Sequence, residues 1–165
     1  MKVLAIHLYF ALALASAPIC ASAGEVATVP ADFSIRLTRG ACEGPCPVYS
    51  VSVDSQGRVQ WQGKQFVRRK GKSTKTIAAA SLQSIVRRIG ELHVLAVQPG
   101  THISHLDASL VTVELTLNSR SIQVAYSQSD TGPDASRVVE LAKYLDRELV
   151  TDTWIGGNEY RRMND

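Results

Sequence analysis

From Phe33 onward the chain alternates. Phe33, Ile35 and Leu37 are interleaved with Ser34, Arg36 and Thr38, the period of two expected of a half-buried strand, whose successive side chains point to opposite faces. "VYSVSVD" puts Tyr49, Val51 and Val53 on one face, "DSQG" (Asp54 to Gly57) supplies turn residues, and "RVQWQ" resumes the alternation with Val59 and Trp61. This pattern predicts a hairpin. "KQFVRRKGKSTKTI" predicts one or two further short strands around a turn at Lys70-Gly71. At Ala78 the period changes: Leu82, Ile85, Val86, Ile89 and Leu92 fall on one side of a helix, and Gln83, Arg87, Arg88 and Glu91 on the other. Residues 96–109, "AVQPGTHISHLDAS", carry Pro99 and Gly100 without periodicity and predict a long loop of the kind that is often functional.

A second hairpin follows. "LVTVELTL", a turn at Asn118-Ser119 and "SIQVAYS" offer Val111, Val113, Leu115, Leu117, Ile122 and Val124 to a core. Pro133 and a cap at Asp134 predict the start of a second helix with Val138, Leu141, Ala142, Leu145 and Leu149 as its buried stripe. Short connections between successive strands favour antiparallel pairing. The expected fold is therefore α+β: a mainly antiparallel sheet of about five to seven strands with two helices packed on one face, in the order strands, helix, strands, helix. The expected limits are a flexible lead-in at 24–32, one domain over 33–155 anchored near its end by Trp154-Ile155, and a polar tail at 156–165.

The first 23 residues have a different character. Lys2 is their only charge, an apolar run extends from Val3 to Ala17, and Ala21-Ser22-Ala23 has the small-x-small form of a signal-peptidase site. This predicts a secretory signal cleaved between Ala23 and Gly24. Pro18 ends the run short of the roughly 18 apolar residues that a membrane span needs. Cleavage leaves 142 of 165 residues, enough for one ordinary core, and lowers the formal net charge from +3 to +2. Such a balance argues neither for nucleic-acid binding nor for a strong membrane-surface field. Cys20 leaves with the signal, so Cys42 and Cys46 remain as an even pair in an oxidising compartment, periplasmic or secreted.

A disulfide between Cys42 and Cys46 requires their Cα atoms within about 7 Å, whereas four extended steps separate them by roughly 13 Å. Glu43-Gly44-Pro45 is the natural place for the turn, because glycine permits positive φ and proline fixes its own φ. Redox and metal roles are the alternatives. Thiol–disulfide oxidoreductases place two residues between their cysteines and the first cysteine at a helix N-terminus. Here three residues intervene and "PVYSVSV" reads as a strand. Zinc would need two further ligands, and no other cysteine remains in the mature chain.

Residues 37–77 carry a resemblance. Cys42, Gly44, Cys46, Pro47 and Tyr49, followed by Gly57, Val59, Trp61 and Gly63, resemble a bacterial family of small, usually exported domains of unknown function. That family is marked by a Cys-Phe-Gly-x-Cys-Pro-x-Tyr motif and a hairpin with a Gly-x-Val-x-Tyr/Trp-x-Gly pattern. Glu43 stands where the motif has an aromatic residue, and Asp107 and Trp154-Ile155 extend the similarity over most of the mature chain. The resemblance implies a fold of this kind and brings no established activity.

Two other clusters bear on function. His102, His105 and Asp107 lie within six positions and could ligate a divalent ion or act as an acid–base pair. The plainer reading is a pair of loop histidines with Asp107 at a strand entry. Arg68, Arg69, Lys70, Lys72 and Lys75 form a basic run that protects a hairpin edge from aggregation or touches acidic polymers, lipid phosphates or an acidic partner. There is no nucleophile elbow and no phosphate-binding glycine loop, so no cofactor is expected. The functional expectation is a non-catalytic binding or accessory module of the bacterial envelope whose partner is an envelope protein or ligand. Tyr49, Trp61 and Asp107 are its candidate pocket or loop residues. The alternatives are a thiol–disulfide oxidoreductase at Cys42/Cys46 and a metal-dependent hydrolase at His102/His105/Asp107.

Overall fold

Through most of the strand residues burial follows the alternation. A computed structural model describes residues 28–98, 108–150 and 152–156, and within them six strands form one sheet in the order β4-β3-β2-β1-β5-β6. These are β1 (Ser34–Arg39), β2 (Val48–Asp54), β3 (Arg58–Gln65), β4 (Gly71–Thr76), β5 (Leu110–Leu117) and β6 (Arg120–Ser127). Every neighbouring pair is antiparallel. The registers align three inward-facing rows across the sheet. Val59, Val53, Ile35, Leu115 and Ile122 form the first; Trp61, Val51, Leu37, Val113 and Val124 form the second; Gly63, Tyr49, Arg39, Val111 and Tyr126 form the third.

Two main helices, α1 (Ala79–Glu91) and α2 (Pro133–Leu149), complete the α+β fold. Helix α2 buries Val138, Leu141, Ala142, Leu145 and Leu149, the full expected stripe, together with Ala135. Helix α1 buries Leu82, Ile85 and Ile89, while Val86 and Leu92 pack half-buried at the edge of the core. An ion pair from Arg88 to Glu140 joins the two helices. A single-turn helix α3 (Asp152–Ile155) brings buried Trp154 and Ile155 against the core.

Three local expectations are refined. "KQFVRRKGKSTKTI" yields one new strand, β4; Lys64 and Gln65 extend β3, and the turn spans Phe66 to Lys70, with Gly71 opening β4 at φ 79°. No large apolar residue lies in β4, which is an edge strand and needs only its ladder and short side chains. Asp134 is not the cap of α2. Gly132 holds the cap position without a side-chain hydrogen bond, and Pro133 begins the helix, where its missing N–H costs nothing. Asp134 lies in the first turn, pairs with Arg137 and accepts the Gln98 N–H. The turn at Asn118-Ser119 has positive φ at both residues, matching the right-handed strand twist, and the Asp32 carboxylate accepts both N–H groups.

Among the described residues no helix is long and apolar enough to cross a membrane. The expected signal (1–23), part of the lead-in, the segment with His102, His105 and Asp107, and nearly all of the polar tail lie outside the described residues.

Candidate functional site

At the third row of the sheet the core turns polar. Arg39, in phase with Ile35 and Leu37, points inward and is fully buried. Its register partner on β2 is Tyr49, also buried. Asp146 of α2 reaches down between them: its Oδ2 accepts Arg39 Nη2 at 2.5 Å and its Oδ1 accepts the Tyr49 hydroxyl at 2.6 Å. Arg39 Nη1 also donates to Gln128 Oε1 at 3.5 Å, and Arg39 Nε has no partner among the described residues. Burial by itself would lower the Arg39 pKa. The Asp146 carboxylate and the Tyr49 oxygen outweigh it and hold the guanidinium above its ordinary value. Burial first, and then the Asp146 charge, push the Tyr49 phenol well above its usual range. Both carboxylate oxygens are thus engaged and the phenol is held in its protonated form, so the cluster fastens α2 to β1 and β2.

The cysteine loop connects the two strand residues of this cluster. Cys42 and Cys46 stand at disulfide distance, with Cα atoms 5.8 Å apart, in the half-exposed connection from β1 to β2. Gly40 closes the root of the loop by donating its N–H to Leu110 O at 2.8 Å, and its own carbonyl accepts the buried Ser109 hydroxyl at 2.8 Å. Strands flank the loop on both sides, so neither cysteine lies at a helix N-terminus.

Beside Tyr49 runs an aromatic ladder. Tyr49 stacks on Trp61 at 4.6 Å between ring centroids and Trp61 on Trp154 at 5.5 Å. Trp61 Nε1 donates to Arg69 O at 2.9 Å. This carbonyl approaches because position 63 is glycine: a Cβ there would lie 2.1 Å from Arg69 O and 2.9 Å from Trp61 Nε1. The Arg68 and Arg69 N–H groups donate to Ile155 O and Trp154 O at 3.3 and 2.8 Å. The β3–β4 turn is therefore pinned at its root by the C-terminal segment. The turn carries Phe66, 46% exposed with φ 51°, together with exposed Arg68, Arg69 and Lys70, and exposed Lys64 and Lys72 lie on the strands that flank it. Lys75 is set apart, its Nζ 5.5 Å over the Trp154 ring.

The structure brings Tyr49 and Trp61 together in the core, where they pack; Asp107, the third candidate pocket or loop residue, lies outside the described residues, as do His102 and His105. Among the described residues no three His, Cys, Asp or Glu side chains gather as metal ligands. Sequence reasoning missed Arg39 and Asp146. A signal existed for each: Arg39 continues the inward alternation of β1, and Asp146 sits four residues after Ala142 and three before Leu149 on the buried side of α2. The opposite sheet face is polar, with two shallow hollows of ≈ 300 and ≈ 310 Å³ lined by Ser52, Gln60, Arg36 and similar side chains.

Comparison with curated proteins finds no match. A family model described as a domain of unknown function, DUF6438, matches residues 33–148. That span begins at buried Phe33 just before β1 and ends in the last turn of α2, so it includes the cysteine loop, the glycine-framed hairpin and all three members of the Arg39–Asp146–Tyr49 cluster. The chain belongs to the DUF6438 family.

Proposed function

We propose that this protein is an exported, non-catalytic binding or accessory module of the bacterial envelope. The observation that carries the reading is the Cys42–Cys46 pair: a half-exposed pair at disulfide distance in a loop between two strands. Cytosolic reductants keep such thiols reduced, whereas an exported chain retains the bond. With no helix N-terminus to stabilise a thiolate, the bond shapes the loop and does not exchange. The N-terminal apolar run from Val3 to Ala17, followed by Ala21-Ser22-Ala23, supports export, as does the resemblance of Cys42, Gly44, Cys46, Pro47 and Tyr49 to the motif of a usually exported family.

Expression of the full chain in a bacterial host, followed by fractionation, intact mass and thiol alkylation, tests this. The expected product begins at Gly24, leaves the cytoplasm, and is alkylated at two cysteines only after reduction. A full-length cytoplasmic product with rapidly alkylated thiols would overturn the reading. Crosslinking in envelope extracts tests the binding role, which fails if no partner or ligand is recovered reproducibly.

A further inference from the structure

We propose that the β3–β4 hairpin end is a docking tip for an anionic lipid surface, with Phe66 as its apolar wedge; this rests on the envelope location proposed above. Phe66 and Val67 are adjacent, yet the smaller residue is buried, 7% exposed, and the larger is turned out into solvent. Phe66 also has φ 51°, a conformation unfavourable for a bulky side chain. Such a residue persists only where surrounding contacts over-determine it, and these conformations cluster at binding sites. The contacts are present: Trp61 Nε1 holds Arg69 O at 2.9 Å, and the Arg68 and Arg69 amides are held by Ile155 O and Trp154 O. The backbone is therefore anchored two and three residues after Phe66.

Charge defines what it meets. Arg68, Arg69 and Lys70 are exposed in the same turn as Phe66, and Lys64 and Lys72 on the strands that flank it, and no acidic side chain among the described residues forms an ion pair with any of them. Arg69 Nε is directed to the Ser73 hydroxyl at 3.1 Å. The β3–β4 ladder ends at Gly63 and Gly71, and the turn between them folds back on the core through Val67 while leaving Phe66 exposed, so it offers an exposed ring and no concave pocket of the kind a small ligand needs. A free polyanion would satisfy the cations and leave Phe66 in water. An anionic bilayer surface satisfies both, with headgroup phosphates for the cations and the acyl boundary for the ring.

Sedimentation of the processed protein with phosphatidylcholine vesicles, with vesicles containing phosphatidylglycerol, and with soluble polyglutamate as competitor tests the proposal. Partition is expected only to the phosphatidylglycerol vesicles, weakening as salt rises. Removing two cations by Lys70→Gln and Lys72→Gln should reduce it on the order of 25-fold, about fivefold per charge. Phe66→Ser should reduce it at unchanged charge, and Phe66→Trp should retain it with a blue-shifted emission on vesicle addition. Equal partition to phosphatidylcholine, or partition unaffected by these substitutions, overturns the proposal. So does polyglutamate binding that matches vesicle binding and ignores Phe66→Ser, which would make the tip a polyanion site. Circular dichroism confirms that each variant folds, and the Phe66→Trp emission decides the matter if Phe66→Ser does not. Correct processing and a sealed disulfide without vesicle binding would sink the lipid docking alone and leave the envelope reading standing.

Discussion

Asp146 uses both carboxylate oxygens on groups from other elements, and Arg39 and Tyr49 have no water to turn to if it is lost. A buried charge pair is weak evidence of net stabilisation, because desolvation offsets much of the attraction, but breaking it is costly. Tyr49→Phe removes one hydrogen bond to a charged acceptor and should lower unfolding stability by about 1.5–3 kcal/mol, measured by urea denaturation. It should also change the alkaline limb. Burial and the Asp146 charge raise the Tyr49 pKa in the folded state. The stability linked to the protonated phenol is thus fully present below pH ~10, where an unfolded tyrosine ionises, and is lost as pH rises through the folded value. Tyr49→Phe should remove the steepest part of that loss; Tyr126 and Tyr144, also raised, leave the remainder. An unchanged alkaline profile in the variant would refute this. The inward direction of Arg39 was legible in its phase with Ile35 and Leu37. Its partner was not, because Asp146 lies 107 residues away in sequence and local periodicity cannot report so distant a contact.

At the level of elements, the glycine-framed hairpin shows how spacing in the sequence becomes a contact. Gly57, at φ 73° with Ile77 O 2.9 Å from where its Cβ would sit, makes the β2–β3 turn, and Gly63 admits the Arg69 carbonyl to the Trp61 indole. Gly63→Ala should cost about 1–3 kcal/mol or more, since its neighbour is backbone and gives way only if the β3–β4 turn shifts. The check is thermal unfolding together with hydrogen exchange at the Arg68 and Arg69 amides, which should quicken as the clamp to Trp154 and Ile155 loosens; slow exchange at both would contradict it. Strand and helix identities were readable because alternation and helical spacing report directly which side is buried. The single strand in "KQFVRRKGKSTKTI" and the start of α2 were less so: β4 carries no apolar pattern, and a proline at the first helical position competes with aspartate as a start signal.

Across the whole molecule, β1 lies between β2 and β5, and the chain passes through α1 before β5 can pair with it. A central strand exchanges its amides only when a neighbour detaches, whereas an edge strand frays alone. Native-state hydrogen exchange should therefore find the slowest amides in β1 and fast ones in β4, and slow exchange in β4 comparable to β1 would contradict the strand order. The sequence by itself determined the α+β class, the strands and helices with their buried faces, and the turn that lets Cys42 approach Cys46. These follow from local periodicity and backbone chemistry. Only the tertiary structure decided the strand order, the junction of Arg39 and Tyr49 with Asp146, the stacking of Trp61 on Trp154, and the outward aim of Phe66 beside buried Val67. Each depends on elements far apart in the chain meeting at one place, where burial and hydrogen-bond satisfaction select a single arrangement among many that the local pattern allows.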